Sequence, residues 1–331
     1  MVQARGLAVN DQRVSSNPPV GPASKESYPV VEQPLFQRPL SPADKVVIAY
    51  LAVLAALVAL SHHRINYWWA ILLAHAAVIL IIVAISRCAV AGASLWRFIH
   101  GWYPVALVPV TFKELTFLIP LIHPRDYDWE LARIDYWMFG AHPTVWLERF
   151  TWPVLTEFFQ LSYTTYYFLP LILGAVLWSK RWFERFNFFV FVAVLGFYLS
   201  YLGYIAVPAI GPRFILASEQ SFPLRGVFLY QWIRDTLDRA EGITRDAFPS
   251  GHTELTLLVL YYAGRFHRRT FWLMLPAGSA LIISTVYLRY HYVIDVIAGG
   301  LLALLVIAIA PPLYRALGGA VDAGRAKNLS I

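Results

Sequence analysis

Two histidines sit in stretches of this sequence that could carry phosphoryl chemistry. The first closes Phe248-Pro249-Ser250-Gly251-His252. Pro249 and Ser250 are helix-start residues, and the Ser250 hydroxyl can accept one of the unpaired backbone N–H groups as an N-cap. Gly251 lets a ligand approach the backbone closely, and free N–H groups at a helix start favour an anion such as phosphate. A histidine there can hand a proton to a departing oxygen. The plainer reading is a capped helix with an interfacial histidine. The second cluster is Tyr287-Leu288-Arg289-Tyr290-His291-Tyr292-Val293-Ile294-Asp295. His291 and Asp295 are four residues apart and share one helix face. A carboxylate beside an imidazole fixes its tautomer and raises its basicity, as a nucleophilic histidine requires. Asp295 also heads the apolar run from Val296 to Ala310, where a charge is costly and is functional by default. Its plainer reading is a His–Asp pair that anchors a helix.

Other ionisable residues could complete a site. Arg213, in Pro208-Ala209-Ile210-Gly211-Pro212-Arg213, could grip phosphate with two parallel hydrogen bonds or simply snorkel to lipid headgroups. Glu157 and Glu254 could shape a polar headgroup pocket or form structural interhelical pairs. Lys113 and Glu114 are adjacent and point in different directions; a structural role is expected for Lys113. Tyr163, Tyr166 and Tyr167 follow a helical stripe, which reads as packing or an interfacial belt. His75, His100, His123, His142 and His267 have no partner motif.

These residues need elements to hold them. Of the 331 residues, 58% are apolar and 14% are charged, a balance suited to a helical membrane protein. A spanning helix takes about 20 mostly apolar residues. Eight segments qualify, near 45–62, 66–86, 101–122, 154–178, 187–208, 251–266, 271–288 and 291–312. The segment beginning at His252 is short and opens with polar residues. The expected fold is therefore all-α, a polytopic bundle of about eight spans around a six-helix core. Its organisation is read as a disordered cytoplasmic tail (1–43), two accessory helices (44–100), a six-helix catalytic membrane domain (101–312) and a cytoplasmic tail (313–331). The first ~40 residues are polar and proline-rich, with no apolar core of signal-peptide type.

Placing the N-terminus inside puts Arg87 and Arg97, then Lys180, Arg181 and Arg185, then Arg265, Arg268 and Arg269 on short inner connections, in agreement with the positive-inside rule. Arg315, Arg325 and Lys327 follow in the inner C-terminal tail. His252, His291 and the long loops 123–153 and 209–250 then face the periplasm or lumen. The formal charge of +7 fits inner loops drawn to anionic lipid. No nucleic-acid pattern accompanies it. The one cysteine, Cys88, cannot form an internal disulfide.

At Pro249-Ser250-Gly251-His252 and at Ser284, His291 and Asp295 the chain resembles the type-2 phosphatidic acid phosphatase superfamily, with Gly299-Gly300 following as in that family. The resemblance covers about residues 100–312. Two departures accompany it. Thr285 stands where the family has arginine, with Arg289 available to supply the charge. Gly211-Pro212-Arg213 replaces the first family motif. That variant, with Asp135 to Phe139-Gly140 in the first long loop, is similar to the inositol-phosphorylceramide-synthase branch. The resemblance implies a mechanism: His291 attacks phosphorus with Asp295 polarising it, His252 protonates the departing oxygen, and a phosphohistidine forms. Water or an alcohol then takes the phosphoryl group or phospho-headgroup. Arg213, Arg289, Ser250 and Gly251 would bind the phosphate. No cofactor or metal is implied, and no metal-ligand spacing is present.

The implied partners are a lipid phosphate, a lipid or polyol acceptor and the membrane itself; oligomeric state is left open. The branch resemblance favours transfer of a phospho-headgroup, such as phosphoinositol, to a lipid alcohol. Hydrolysis of a lipid phosphate or polyprenyl diphosphate is the alternative. A transporter would show broken central helices and internal repeats, neither of which is evident. A decayed scaffold is at odds with the complete His252, His291, Asp295 set.

Overall fold

The computed structural model describes residues 40–241 and 244–319. The described residues belong to one compact unit. Most of the expected 1–43 tail and the last twelve residues of the chain lie outside the described residues. Among the described residues, all regular structure is helical. The principal helices are α1 (Pro42–Leu60), α2 (Trp68–Val90), α3 (Ser94–Ile122), α4 (Asp128–Phe139), α5 (Pro153–Thr164), α6 (Leu169–Ser179), α7 (Phe183–Ala206), α8 (Tyr230–Glu241), α9 (Gly251–Phe266), α10 (Arg268–Tyr287) and α11 (Val293–Ala316).

All eight predicted spans are helical. Among the described residues six helices, α1, α2, α3, α7, α10 and α11, are long and apolar enough to cross a membrane, as expected of an integral membrane protein. A seventh span forms if α5 and α6 count as one broken helix bent by 46°. The break has a local cause. A 3-10 turn, Thr165–Tyr167, separates the halves, and Pro170 has no N–H to continue the helical ladder. The sixth predicted span, α9, has 16 residues. At ~1.5 Å per residue it is about 24 Å long, short of the ~30 Å hydrocarbon core. Its Thr253, Glu254 and Thr256 are buried against neighbouring helices, so it need not be apolar all round.

The most deeply packed long helix is α7. One face meets α1 and α3 through Val194, Tyr198 and Tyr201. The other meets α6, α9, α10 and α11 through Phe188, Phe191 and Val192. Side-chain hydrogen bonds hold the first helices together. Ser41 and Asp44 form a capping box at the start of α1. Asp44 also accepts His100 Nε2 and Tyr103 Oη, both at 2.8 Å, tying α1 to α3. His75 Nε2 meets Glu114 Oε1 at 2.8 Å, tying α2 to α3. Lys113 points elsewhere, into a cavity between α3, α6 and α7. His75 and His100 thus have partners that spacing along the chain did not reveal, because those partners sit on other helices.

Antiparallel connections gather the C-terminal ends of α3, α7 and α10 with the N-terminal ends of α5, α9 and α11. His252 and His291 lie at this end. Arg87, Arg97, Lys180, Arg181, Arg185, Arg265, Arg268 and Arg269 lie at the other. Close packing at the histidine end depends on Gly299 of α11. A β-carbon there would collide with the carbonyl oxygen of Ser250, at the start of α9. Neighbouring Gly300 is open, with Leu257 Cδ1 3.9 Å from a built β-carbon. Gly299→Ala is therefore expected to destabilise the protein by about 1–3 kcal/mol through overpacking, while Gly300→Ala leaves the unfolding midpoint near the parent's. Thermal unfolding in detergent checks the pair; equal midpoints would contradict the close contact.

Candidate active site

The site forms where two turns meet. The first leads into α9. Ser250 is the N-cap, accepting Thr253 N–H at 3.3 Å. Its own N–H donates to the Asp295 carbonyl at 3.0 Å, linking the start of α9 to α11. The second turn leaves α10. The Thr285 carbonyl accepts the N–H groups of both Tyr290 and His291 at 3.0 Å, and Arg289 has a left-handed φ of 65°. That conformation is uncommon outside glycine, and here it turns the chain so that His291 faces His252.

His291 Nε2 and His252 Nδ1 are 3.3 Å apart. His291 Nδ1 is 2.8 Å from the Ala247 carbonyl oxygen. A carbonyl only accepts, so Nδ1 carries the proton and Nε2 of neutral His291 carries the lone pair. His252 Nδ1 then donates to that lone pair, and a proton on His252 points at the place where an electrophile would meet His291. The His252 ring is clamped by Tyr163, with centroids 4.5 Å apart, and by Tyr166 at 4.1 Å. Tyr290 stacks on the far side of Tyr163 at 4.6 Å. The tyrosine stripe is therefore packing that serves the site. Burial pushes the His291 imidazole below its ordinary value, while Asp246 and the bond to Ala247 pull it back up. The arrangement can supply an attacking nitrogen and a proton donor side by side.

Asp295 is buried, with Oδ2 3.5 Å from His291 Nδ1. That oxygen accepts the Tyr292 N–H at 2.8 Å and caps α11. Arg289 is tied up on the far side of the turn, donating to Glu148 at 2.8 Å, to Gln220 at 2.8 Å and to the Phe222 carbonyl at 3.0 Å. Burial lowers its guanidinium and the Glu148 carboxylate raises it. Arg213 donates to Asp238 of α8 at 2.9 Å and lies over Tyr290, 5.3 Å from the ring centroid. Its buried Nη1 has no hydrogen-bond partner among the described residues. The structure thus brings His252, His291 and Asp295 together, with Ser250 and Gly251 at the same turn, but holds Arg213 and Arg289 outside the pair.

The two glutamates lie apart. Glu157 accepts the backbone N–H groups of Val227, Phe228, Leu229 and Tyr230, at 2.8, 3.1, 2.6 and 3.2 Å, and fixes the start of α8. Glu254 turns into the core and accepts the Ser200 hydroxyl of α7. Gly251 packs against the Tyr204 hydroxyl, with no room for a β-carbon. Among the described residues no group of three or more His, Cys, Asp or Glu is arranged to hold a metal ion.

Sequence reading missed three parts of the site. Asp246 faces the cavity beside His252; its only clue was its position six residues before that histidine. The other two are acids of α4, Asp128 and Asp135, seven apart and so on one face. Asp128 accepts the N–H groups of Ile210 and Gly211 at 3.0 and 2.8 Å and the Tyr292 hydroxyl at 3.1 Å. Asp135 accepts the N–H groups of Val293 and Ile294 at 2.8 and 2.9 Å. Burial pushes both carboxyls up, against the pull of these donors. The amphipathic α4 thus braces both loops behind the histidines. Asp135→Ala strands the two N–H groups at the start of α11 and is expected to cost about 1–3 kcal/mol. Denaturation of the purified variant measures it, and an unchanged midpoint would remove Asp135 from the brace.

A helical membrane bundle with paired histidines at one end is the class of protein that this fold and site define. The family model of the PAP2 superfamily matches residues 129–309, more than half of the chain, and the chain belongs to that superfamily. A PA-phosphatase related-family protein of Dictyostelium discoideum is 25% identical over 171 residues, covering 46% of this chain and 31% of the relative. A bacitracin transport permease protein of Bacillus licheniformis is 40% identical over 60 residues, covering 18% of this chain and 30% of the relative. The chain thus matches less than a third of either relative's length. No solved structure gives a significant match.

Proposed function

We propose that this protein is a membrane phosphatase of the PAP2 kind that takes the phosphoryl group from a lipid-linked phosphate through a phosphohistidine on His291. The observation that carries the lipid reading is the cavity. It has a volume of about 660 Å³ and is walled by apolar side chains of α3, α6 and α7, with His252 and Asp246 at one end. Along α7 it runs from Phe186 to Tyr204, eighteen residues or about 27 Å, close to the ~30 Å depth of a bilayer's hydrocarbon core. A hydrocarbon chain lying in this cavity would bring a phosphate headgroup to the histidines. Leu237 of α8 also lines it, so α8 covers the headgroup end.

In the first step His291 Nε2 attacks phosphorus, the bond from phosphorus to the lipid oxygen breaks, and that oxygen takes the proton from His252. In the second step water gives a proton to His252 while its oxygen displaces the His291 nitrogen, releasing phosphate. Donation to the Ala247 carbonyl keeps the attacking nitrogen unprotonated. Asp295 supports the imidazole from behind. The free Nη1 of Arg213 could reach an equatorial phosphate oxygen if α8 shifts. A second reading follows from the Gly211-Pro212-Arg213 and Asp135 to Gly140 features, which support the inositol-phosphorylceramide-synthase branch. There a lipid alcohol or polyol replaces water, and a phospho-headgroup such as phosphoinositol is transferred.

Labelled lipid phosphates supplied with and without ceramide or inositol distinguish the two: free phosphate means hydrolysis, a new phospholipid means transfer. His291→Ala is expected to lower turnover at least about a thousandfold, and His252→Ala about 10²–10⁴-fold. Undiminished turnover in His291→Ala would exclude it as nucleophile. We further propose that the histidine end faces the periplasm or lumen and both termini the cytoplasm, from the basic residues gathered at the opposite end. In a Cys88→Ser background, Arg225→Cys should react with an impermeant maleimide added outside intact cells. Reaction only after the cells are opened would reverse this orientation.

A further inference from the structure

Two imidazoles 3.3 Å apart pose an electrostatic problem. Burial and the neighbouring ring both oppose a charge on either, yet the reaction proposed above needs one of them to hold a proton for the leaving oxygen. Asp295 is poorly placed to offset this, because its Oδ2 caps the Tyr292 N–H and faces a nitrogen whose proton already goes to Ala247. Asp246 is placed better. It lies in the segment 244–250, pinned on both sides. On one side, Arg245 pairs with Asp126, Nη2 to Oδ2 at 3.1 Å. On the other, Ala247 donates to the Ala209 carbonyl at 3.0 Å and accepts His291 Nδ1. Between these clamps the Asp246 side chain lines the cavity with His252 and accepts the Thr244 hydroxyl.

We propose that Asp246 is a positioning residue for the proton of the histidine pair: its carboxylate, in the cavity wall, stabilises the positive charge of the paired imidazoles until the leaving oxygen takes the proton from His252. The inference rests on the phosphoryl-transfer reading. Asp246 itself gains and loses no proton in either step. Burial raises its carboxyl and the interaction with His291 lowers it again. Other groups face the pair. The Tyr163 and Tyr166 rings clamp His252, and the Tyr204 hydroxyl lies against Gly251. Glu254 is turned to Ser200, Asp295 lies behind His291, and Lys113 lines the same cavity.

The test follows His252 by two routes. Diethyl pyrocarbonate modifies neutral imidazole, so the pH dependence of His252 modification, read by peptide mass spectrometry on the whole detergent-solubilised protein, reports its proton affinity without substrate. The alkaline limb of kcat/KM for a lipid phosphate reports the same proton during turnover. Removing the negative charge lowers an imidazole's proton affinity, so Asp246→Asn should move both midpoints to lower pH by about one unit, a tenfold change in affinity. Asp246→Glu keeps the charge and should stay near the parent. Asparagine midpoints that superimpose on the parent's, whatever the amplitude, overturn the proposal. So does a glutamate variant shifted by a full unit, which covers the case in which the asparagine variant does not fold. A modification midpoint that follows the carboxylate in a protein with no phosphate turnover upholds the role of the Asp246 charge and overturns the phosphoryl-transfer reading instead.

Discussion

The hydrogen bond from His291 Nδ1 to the Ala247 carbonyl, 2.8 Å long, joins the turn after α10 to the segment before α9. Because a carbonyl cannot donate, it leaves the His291 lone pair on Nε2, facing His252. If either turn moved, the two rings would separate and the tautomer would no longer be set. Most of the surrounding structure holds these two turns in register. Ala247 is held by Ala209, Ser250 by the backbone of α11, and the loop at Ile210–Gly211 by Asp128.

That bracing uses buried acids, each costly unless its oxygens are filled. Asp128 and Asp135 fill theirs with backbone N–H groups at the start of α11 and on the loop after α7. Glu157 does the same for the start of α8. The carboxylates on one side of the site therefore act chiefly as caps for chain segments that would otherwise leave donors unpaired. Asp246 is different in facing the cavity, and its charge bears on the imidazoles.

The cavity ties this polar end to the membrane. Its walls come from α3, α6 and α7, and the break between α5 and α6 places Tyr166 at its head, beside the Tyr163 ring on His252, while Pro170 and Leu171 line it below. One bent segment thus supplies both the aromatic clamp on His252 and part of the apolar wall. Helix α3 contributes the opposite wall and is held to α1 and α2 by buried His–carboxylate pairs, so the first two helices support the shape of the cavity from outside.

Much of this was legible in the sequence, and for identifiable reasons. Runs of about 20 apolar residues mark helices because a backbone in hydrocarbon must satisfy its own hydrogen bonds. The Ser250 cap is a local geometry, and His291 and Asp295 are one turn apart on the chain, so pairing them needed no tertiary information. Other parts depended on contacts between distant segments. Arg213 and Arg289 read as phosphate ligands because arginine suits phosphate; in the fold their guanidiniums meet Asp238 and Glu148, residues 25 and 141 positions away. Asp128 and Asp135 fall in the first long loop of the sequence, and their capping role arises only where α4 meets the start of α11 and the loop after α7. The sequence by itself determined a helical membrane bundle with two histidines at one end, because hydropathy and capping are local properties. Only the tertiary structure decided which nitrogen of His291 is free, which acid faces it and which arginines are engaged, because each of these depends on groups far apart in the chain meeting within a few ångströms.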